Sequence, residues 1–228
     1  GGSMNLWRLP IEEESGKVKG QPEPVTSGGG AATRQHLSIS RDGRSIAFVE
    51  RIAKTNLQKV PFDPFKETVV GPSTWITQGS RPVAGYDPSP DGEWVVFCNR
   101  GAAQEDLFLI RTDGTGERQI TNDSAKDRAP HWSPDGKRIV FFSDRLTGRF
   151  QIWAINPDGS GLHRLGETDQ SVIGPVLSPD GMRIAYHTLE QFANFISELG
   201  KAWKDHTERL PAFSESETFQ VSSWSPDG

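Results

Sequence analysis

Residues 131–145 read HWSPDGKRIVFFSDR, which is a tight turn followed by an apolar run. Pro134 restricts φ to about −65° and Gly136 tolerates the positive φ that closes a type I turn, so the segment predicts a hairpin connection. The run Ile139–Phe142 is continuously apolar and rich in residues that favour strands. A strand with one wet face would alternate, so this strand is predicted to be buried on both faces.

The same pattern recurs along the whole chain. Four further copies are SISRDGRSIAFVE from Ser38, DPSPDGEWVVFCN from Asp87, VLSPDGMRIAYHT from Val176 and SSWSPDG from Ser222. The five Asp-Gly pairs are separated by 49, 44, 45 and 47 residues. This spacing indicates one supersecondary unit repeated around a shared core.

Each unit contains two further strand-like segments. The first group is NLWRL from Asn5, NLQKV from Asn56, DLFLI from Asp106, QIWAI from Gln151 and, more weakly, NFISE from Asn194. The second group consists of short closing strands that end at Thr26, Thr77, Thr121, Leu165 and Leu210. Four strands per unit, repeated, predict an all-β fold, a β-propeller of four-stranded antiparallel blades.

The repeat phase divides the chain into blades. Gly1–Met4 (GGSM) reads as a tag remnant, and residues 5–228 are predicted to form one propeller domain. Four complete blades are expected at 36–80, 81–127, 128–170 and 171–216, with the terminal pieces 5–35 and 217–228 belonging to an incomplete fifth blade. We expect a fragment of a larger propeller, or a ring that closes imperfectly or pairs with a second copy through its open edges.

One segment of the last blade supports two predictions. Phe192, Phe195, Ile196, Leu199 and Trp203 have the spacing of a helical stripe. The repeat instead requires a strand at Asn194–Glu198, with residues 200–206 forming a long hairpin tip. We favour the strand, because the neighbouring strands of that blade are intact.

Composition excludes several classes of protein. The 25 basic and 30 acidic residues give a net charge of −5, which disfavours a nucleic-acid surface. A single cysteine, Cys98, excludes an internal disulfide. No apolar run reaches the ~18–20 residues of a membrane helix, so no membrane insertion is expected. The serine-hydrolase elbow, zinc-protease motif and P-loop are absent, so we assign no catalytic residue, metal or cofactor.

The motif set HWSPDGKRIVFFSDR followed by QIWAINPDGSGLHRL resembles the TolB-like propeller family, in which blades carry a Trp-Ser-Pro-Asp-Gly core. Blade one departs from it at Ile39 and Arg41, where tryptophan and proline are expected. The resemblance implies a propeller and, for TolB itself, periplasmic binding of proteins across the disc face and channel. Similar propellers gate prolyl oligopeptidase-like enzymes, and fold alone does not choose between these functions.

The first strand of each blade is predicted to line the axis. Asp87 and His131 stand three residues before the turn proline, where they could bind a cation or a polar ligand. The alternative is that polar groups tolerate a wet axis, and two ligands fall short of a metal site.

Loops at one rim of the disc carry mixed charge, which suits recognition of a partner on a rigid scaffold. The alternative is a solvated rim with blade-to-blade ion pairs. With the axial pair, the candidate partner-binding residues are Arg81, Asp87, Asp127, Arg128, His131, Asp144, Arg145 and Arg149.

The sequence therefore favours a non-catalytic propeller module that binds a protein or peptide through its loop face and channel, with self-association through open edges as a further expectation. The alternatives are the substrate-gating propeller of a prolyl oligopeptidase-like hydrolase, or part of a propeller lyase or glycosidase. The compartment is left unknown, and only the family resemblance favours a periplasmic one. The six tryptophans at repeat positions are expected in the core or between blades: Trp7, Trp75, Trp94, Trp132, Trp153 and Trp224.

Overall fold

A computed structural model describes residues 7–12, 14–24, 32–40, 45–52, 54–100, 104–146, 148–191, 193–203, 207–211 and 224–225. Within these ranges the regular structure is almost entirely β-strand, and the predicted all-β propeller class is confirmed. No helix in the described part of the chain has the length and apolar character needed to cross a membrane.

The first third of the chain forms two-stranded units. Strand β1 (Trp7–Arg8) pairs with β2 (Glu23–Pro24), and β3 (Ala32–Ile39) pairs with β4 (Ile46–Ile52). A longer ribbon follows, in which β5 (Gln58–Lys59) pairs with β8 (Thr74–Trp75) and β6 (Phe62–Asp63) pairs with β7 (Thr68–Val69).

Three four-stranded antiparallel sheets follow, which we call blades two, three and four. Blade two contains β9 (Val83–Pro88), β10 (Trp94–Asn99), β11 (Leu107–Arg111) and β12 (Arg118–Gln119). Blade three contains β13 (Asp127–Trp132), β14 (Ile139–Ser143), β15 (Gln151–Ile155) and β16 (His163–Arg164). Blade four contains β17 (Val172–Leu177), β18 (Arg183–Thr188), β19 (Ala193–Glu198) and β20 (Thr207–Arg209).

The three sheets stand side by side with their first strands innermost. Strand β13 contacts β9 on one side and β17 on the other, which is the arrangement of blades around an axis. The core lies between blades because each sheet is apolar on both faces. Between blades two and three it contains Val96, Leu109, Trp132, Phe141 and Trp153.

The serine before each Pro-Asp-Gly turn joins the two strands that the turn connects. In blade three, the Oγ of Ser133 donates to Asp135 and accepts the backbone N–H of Arg138 at 2.9 Å. The carboxylate of Asp135 also accepts the N–H of Lys137, and Gly136 has φ +68°. The same bonds recur at Ser89 and Ser178. The predicted turn is therefore confirmed, and the aspartates hold their own turns.

A bulge interrupts the first strand of each blade. The register shifts at Gly85 in β9, at Ala129 in β13 and at Gly174 in β17, and all three residues have positive φ (51°, 45° and 60°). A Cβ atom on Gly85 would lie 3.1 Å from the Cα atom of Ala129, so the bulges of blades two and three nearly touch. The bulge thus fixes how closely adjacent first strands approach.

The ambiguous segment is a strand. Asn194–Glu198 lies within β19 and pairs with β18, as the repeat predicts, and Phe192 lies outside the described residues. The prediction of a hairpin tip for residues 200–206 needs correction at Trp203, which is buried. Its ring stacks on Tyr186 with centroids 4.9 Å apart and packs against Gly166.

Two of the six tryptophans do not occupy the predicted core. Trp132 and Trp153 are buried, and Trp94 and Trp224 are half-buried. Trp7 and Trp75 are 59% and 51% exposed. Both lie on two-stranded ribbons, on faces that are left in solvent. These exposed faces offer apolar surface for the self-association that the sequence predicts. Self-association itself stays a prediction.

Cys98 is the buried small side chain that the sequence predicts. Its thiol donates to the carbonyl oxygen of Ala84 at 2.7 Å, and burial raises its pKa to about 11. The thiol is therefore protonated at neutral pH.

The turn serines make stability depend on pH. The hydroxyl of Ser133 is the main cause that lowers the pKa of Asp135 below the ordinary 3.8. A lowered folded pKa stabilises the protein above the unfolded value, and this contribution is lost as pH falls through the folded value. Ser133→Ala should therefore reduce the loss of stability between about pH 6 and pH 3, measured as urea midpoints. The exposed Ser73→Ala variant serves as control, and an unchanged pH dependence in Ser133→Ala would contradict the assignment.

The bulge predicts a graded effect of two glycine substitutions. Gly85→Ala and Gly181→Ala both place a side chain at positive φ, which costs about 1–2 kcal/mol. Only Gly85 is crowded by the neighbouring backbone, whereas a Cβ atom at Gly181 meets nothing within 4 Å. Gly85→Ala should lower the free energy of unfolding by at least ~1 kcal/mol more than Gly181→Ala. Equal urea midpoints for the two variants would show that the bulges are not in tight contact.

Candidate functional site

The predicted rim is the edge where the chain enters β9, β13 and β17 and where it leaves β10, β14 and β18. Antiparallel order brings these six connections to the same edge, and we call it the loop face. The Pro-Asp-Gly turns lie at the opposite edge, which we call the turn face. All eight candidate residues are in the described part of the chain, but their environments differ strongly.

Asp127 and Arg145 form a buried ion pair beneath the loop face. The side chain of Asp127 is 0% exposed, and both its oxygens accept from Arg145, at 2.7 and 2.8 Å. Arg145 also donates to Asp123 at 3.0 Å and lies over the ring of Trp153. Burial raises the pKa of Asp127, and hydrogen bonds from Ser143 and Arg145 oppose this shift. The pair holds the β14–β15 loop against the start of β13.

Arg128 makes a second buried ion pair, between two blades. It donates through two nitrogens to Glu105, whose side chain is fully buried in the β10–β11 loop of blade two. Its guanidinium also lies 5.3 Å from the centre of the Phe150 ring. The next junction has the same backbone bond but apolar side chains. The backbone N–H of Val172 donates to the carbonyl oxygen of Phe150 at 2.8 Å. In the same way, the backbone N–H of Asp127 donates to the carbonyl oxygen of Glu105 at 2.8 Å.

The axial pair lies together, as the repeat predicts. Nδ1 of His131 is 3.8 Å from the carboxylate of Asp87, and both side chains are a little under a third exposed. Asp87 accepts the backbone N–H of Trp132 at 2.7 Å and so joins the first strands of two blades. A ligand would have to compete with this bond for the carboxylate.

The remaining three candidates lie in different places. Arg81 is about half exposed, pairs with Glu117 and covers the Phe108 ring, which places it between blade two and the ribbon. Arg149 is exposed on the loop face and donates to the carbonyl oxygen of Asp169. Asp144 caps the N–H of Lys126 at 2.8 Å. The structure therefore does not gather the eight residues into one patch.

A shallow cleft of about 510 Å³ opens on the loop face above the Asp127–Arg145 pair. Leu146 stands at its edge with 62% of its surface exposed. Its lining residues are Asp123, Ser124, Ala125, Asp144, Arg145 and Leu146. Four of these six residues, including Asp123 and Leu146, are not among the eight candidates, because no repeated position marks them.

The loop face combines charged groups with an exposed aliphatic side chain. Within the described ranges no group of three or more His, Cys, Asp or Glu side chains is placed to hold a metal ion. The loop-face charges contact one another and backbone groups, and the cleft offers carboxylates, an arginine and an aliphatic side chain.

The buried pair predicts a large mutational effect. Arg145→Met leaves Asp127 buried without its cation and should lower the free energy of unfolding by about 3–5 kcal/mol. Lys126→Met is a control, because this half-exposed lysine lies 4.0 Å from its partner and should change stability by ~1 kcal/mol or less. The double variant Asp127→Val/Arg145→Met, which copies Val172 of blade four, should recover most of the loss. Urea unfolding measures all three, and a cost near that of Lys126→Met would show that the pair contributes little.

Comparison with known proteins agrees with this architecture. A solved structure described as a putative TolB from Agrobacterium tumefaciens superposes with a TM-score of 0.62 at 22% identity, over 98% of this chain and 87% of that one. An uncharacterised protein of Agrobacterium fabrum is 31% identical over 105 residues, which is 46% of this chain and 34% of the relative. Dipeptidyl-peptidase 5 of Porphyromonas gingivalis is 39% identical over 62 residues, 25% of this chain and 9% of the peptidase.

The chain thus spans about a third of the first relative and about a tenth of the second. The family model for the TolB beta propeller domain matches residues 38–228. With its repeated turns, four-stranded blades and this match over most of its length, the chain belongs to the TolB beta propeller domain family.

Proposed function

We propose that this propeller is a non-catalytic module that binds a protein or peptide partner through its loop face. The observation that carries the proposal is Leu146, an aliphatic side chain that is 62% exposed at the edge of a charged cleft. Leu146 would supply an apolar anchor, and the charged groups around it would form a polar rim. The axial pair Asp87 and His131 would extend the surface towards the channel.

The scaffold under the cleft is rigid, which favours binding. Arg145 is anchored on the buried Asp127, and Asp123 accepts both Arg145 and the N–H of Ala125. A preorganised surface loses little conformational entropy when a partner binds.

The charge of the cleft indicates what kind of partner fits. Asp123, Asp127 and Asp144 outnumber the cations Arg145 and Lys126, so the local charge is negative. A segment that combines a basic and an apolar side chain would complement it. Arg149 and Arg81 lie in other loops of the loop face and would contribute to the rim of a larger contact.

The family relationship supports two further parts of the proposal. An extracytoplasmic location is proposed on the resemblance to TolB alone. The similarity to a segment of a dipeptidyl peptidase supports a second candidate function, that of a propeller that gates substrate entry to a hydrolase. A G-x-S-x-G motif in the same gene would favour that candidate.

Selection from a peptide display library tests the loop face. Peptides enriched on the parent should bind Leu146→Ser at least ~10-fold more weakly, because an exposed apolar anchor is lost. Met182→Ser is the matched control, since Met182 is also 62% exposed but lies in a Pro-Asp-Gly turn at the opposite edge. Fluorescence polarisation with labelled peptides gives the affinities. Failure to enrich any sequence, or equal affinity for the parent and Leu146→Ser, would contradict the proposal.

A further inference from the structure

The residue before the turn serine varies along the chain, and in blade two it is the exposed Pro88. It is Trp132 in blade three, Leu177 in blade four and Trp224 after blade four. Trp132 is buried in the cluster that joins blades two and three, together with Val96 and Leu109. A tryptophan at this position therefore fills the space between two successive blades on the turn face.

At the junction of blades three and four, the side chains on both sides of this space are smaller. Leu177 replaces the tryptophan. On the facing blade, Ala154 pairs with Val140 just as Leu109 pairs with Val96 in blade two, so an alanine stands where the earlier junction has a leucine. Two smaller side chains stand at this contact, although Ala154 itself is fully buried.

A cleft of about 570 Å³ opens at this junction, with the buried Val140 and Ala154 at its floor. Its apolar lining includes Val140, Ala154, Leu165, Leu177, Pro179 and Leu199. Its polar lining includes Ser133, Asp135, Arg138 and Asp180, which belong to the turns of blades three and four. The cleft therefore opens on the turn face, away from the Leu146 cleft of the loop face. Its size is within the usual range of about 300–1,000 Å³ for ligand pockets.

The following junction shows how a tryptophan is held at this position. The Nε1 atom of Trp224 donates to the carbonyl oxygen of Val176 at 3.0 Å, and the guanidinium of Arg183 lies 5.0 Å from its ring centre. Arg183 stands five residues after its turn serine, and Arg138 stands five residues after Ser133. Arg138 lines the cleft in blade three, so the cation that covers a tryptophan ring is already present where the ring itself is missing.

We propose that the cleft between blades three and four binds a tryptophan side chain of a partner peptide, in the position that Trp132 and Trp224 occupy at neighbouring junctions. The apolar lining would receive the indole ring, and Arg138 would lie over its face. This site is independent of the loop face and would give the propeller a second contact with a partner on its turn face.

The test uses two probes, N-acetyl-tryptophanamide and the peptide acetyl-Gly-Gly-Trp-Gly-Gly-amide, with binding followed by NMR of the labelled protein. The parent should bind both probes with dissociation constants of roughly 1 mM, as expected for a single side chain. The peptide with leucine in place of tryptophan should bind several-fold more weakly. Failure of the parent to bind the tryptophan probes, or equal binding of the leucine peptide, would overturn the proposal.

Filling the cleft supplies the decisive variants. Leu177→Trp should abolish binding and raise the urea midpoint, because it supplies the missing ring from within the chain. Ala154→Leu fills the cleft from the other side and serves if Leu177→Trp does not fold. Leu146→Trp, which adds a tryptophan on the loop face, is the control and should bind as the parent does. Probe binding that survives both filled variants would place the ligand elsewhere and overturn the proposal.

Arg138→Met separates the cation from the apolar lining. It should weaken both tryptophan probes several-fold while leaving the urea midpoint unchanged, because Arg138 lies at the exposed edge of the cleft. An unchanged affinity would remove the role assigned to Arg138. The loop-face variant Leu146→Ser should bind these probes normally, so failure of the proposed function and failure of this inference are distinguishable.

Discussion

Burial of both faces of every blade is the constraint on which this structure depends. Strand β10 has Val95 and Phe97 on one face and Val96 and Cys98 on the other, and all four are buried. One face packs on the ribbon before it and the other on blade three. A single blade would expose both of these faces, so each sheet is stabilised mainly by its neighbours, as in other repeat proteins. The serine-centred turns then fix the first two strands of each sheet without using the apolar faces.

The repeated geometry tolerates different chemistry at successive junctions. The same backbone bond joins Asp127 to Glu105 and Val172 to Phe150, yet one junction is ionic and the other is apolar. Removing a single buried charge is costly, whereas an apolar replacement of both partners is often neutral. The ionic version also orients Arg145 and the loop that carries Leu146. Variation between junctions is therefore where a regular scaffold acquires individual surfaces.

Much of the fold could be predicted from the sequence because its signals are local. Ser133, Pro134, Asp135 and Gly136 specify a turn within four residues, and repetition overrides the helical spacing around Phe195. Less of the candidate site could be predicted from the sequence. Sequence placed Asp127, Arg128 and Arg145 at the rim, but their burial depends on Glu105 and Asp123 in other connections, which no local pattern reveals. Exposure of Trp7 and Trp75 likewise depends on what covers a ribbon, a property of the assembled molecule.

The hydrogen-bonded thiol of Cys98 offers a way to measure the separation of two blades. It is the single cysteine of the chain and lies in the contact between blades two and three. Being protonated and enclosed, it is inert in the closed state, so a thiol reagent would react only when that contact separates. The chain thus carries an internal reporter for transient parting of two adjacent blades, and the rate of labelling would measure how often these blades separate.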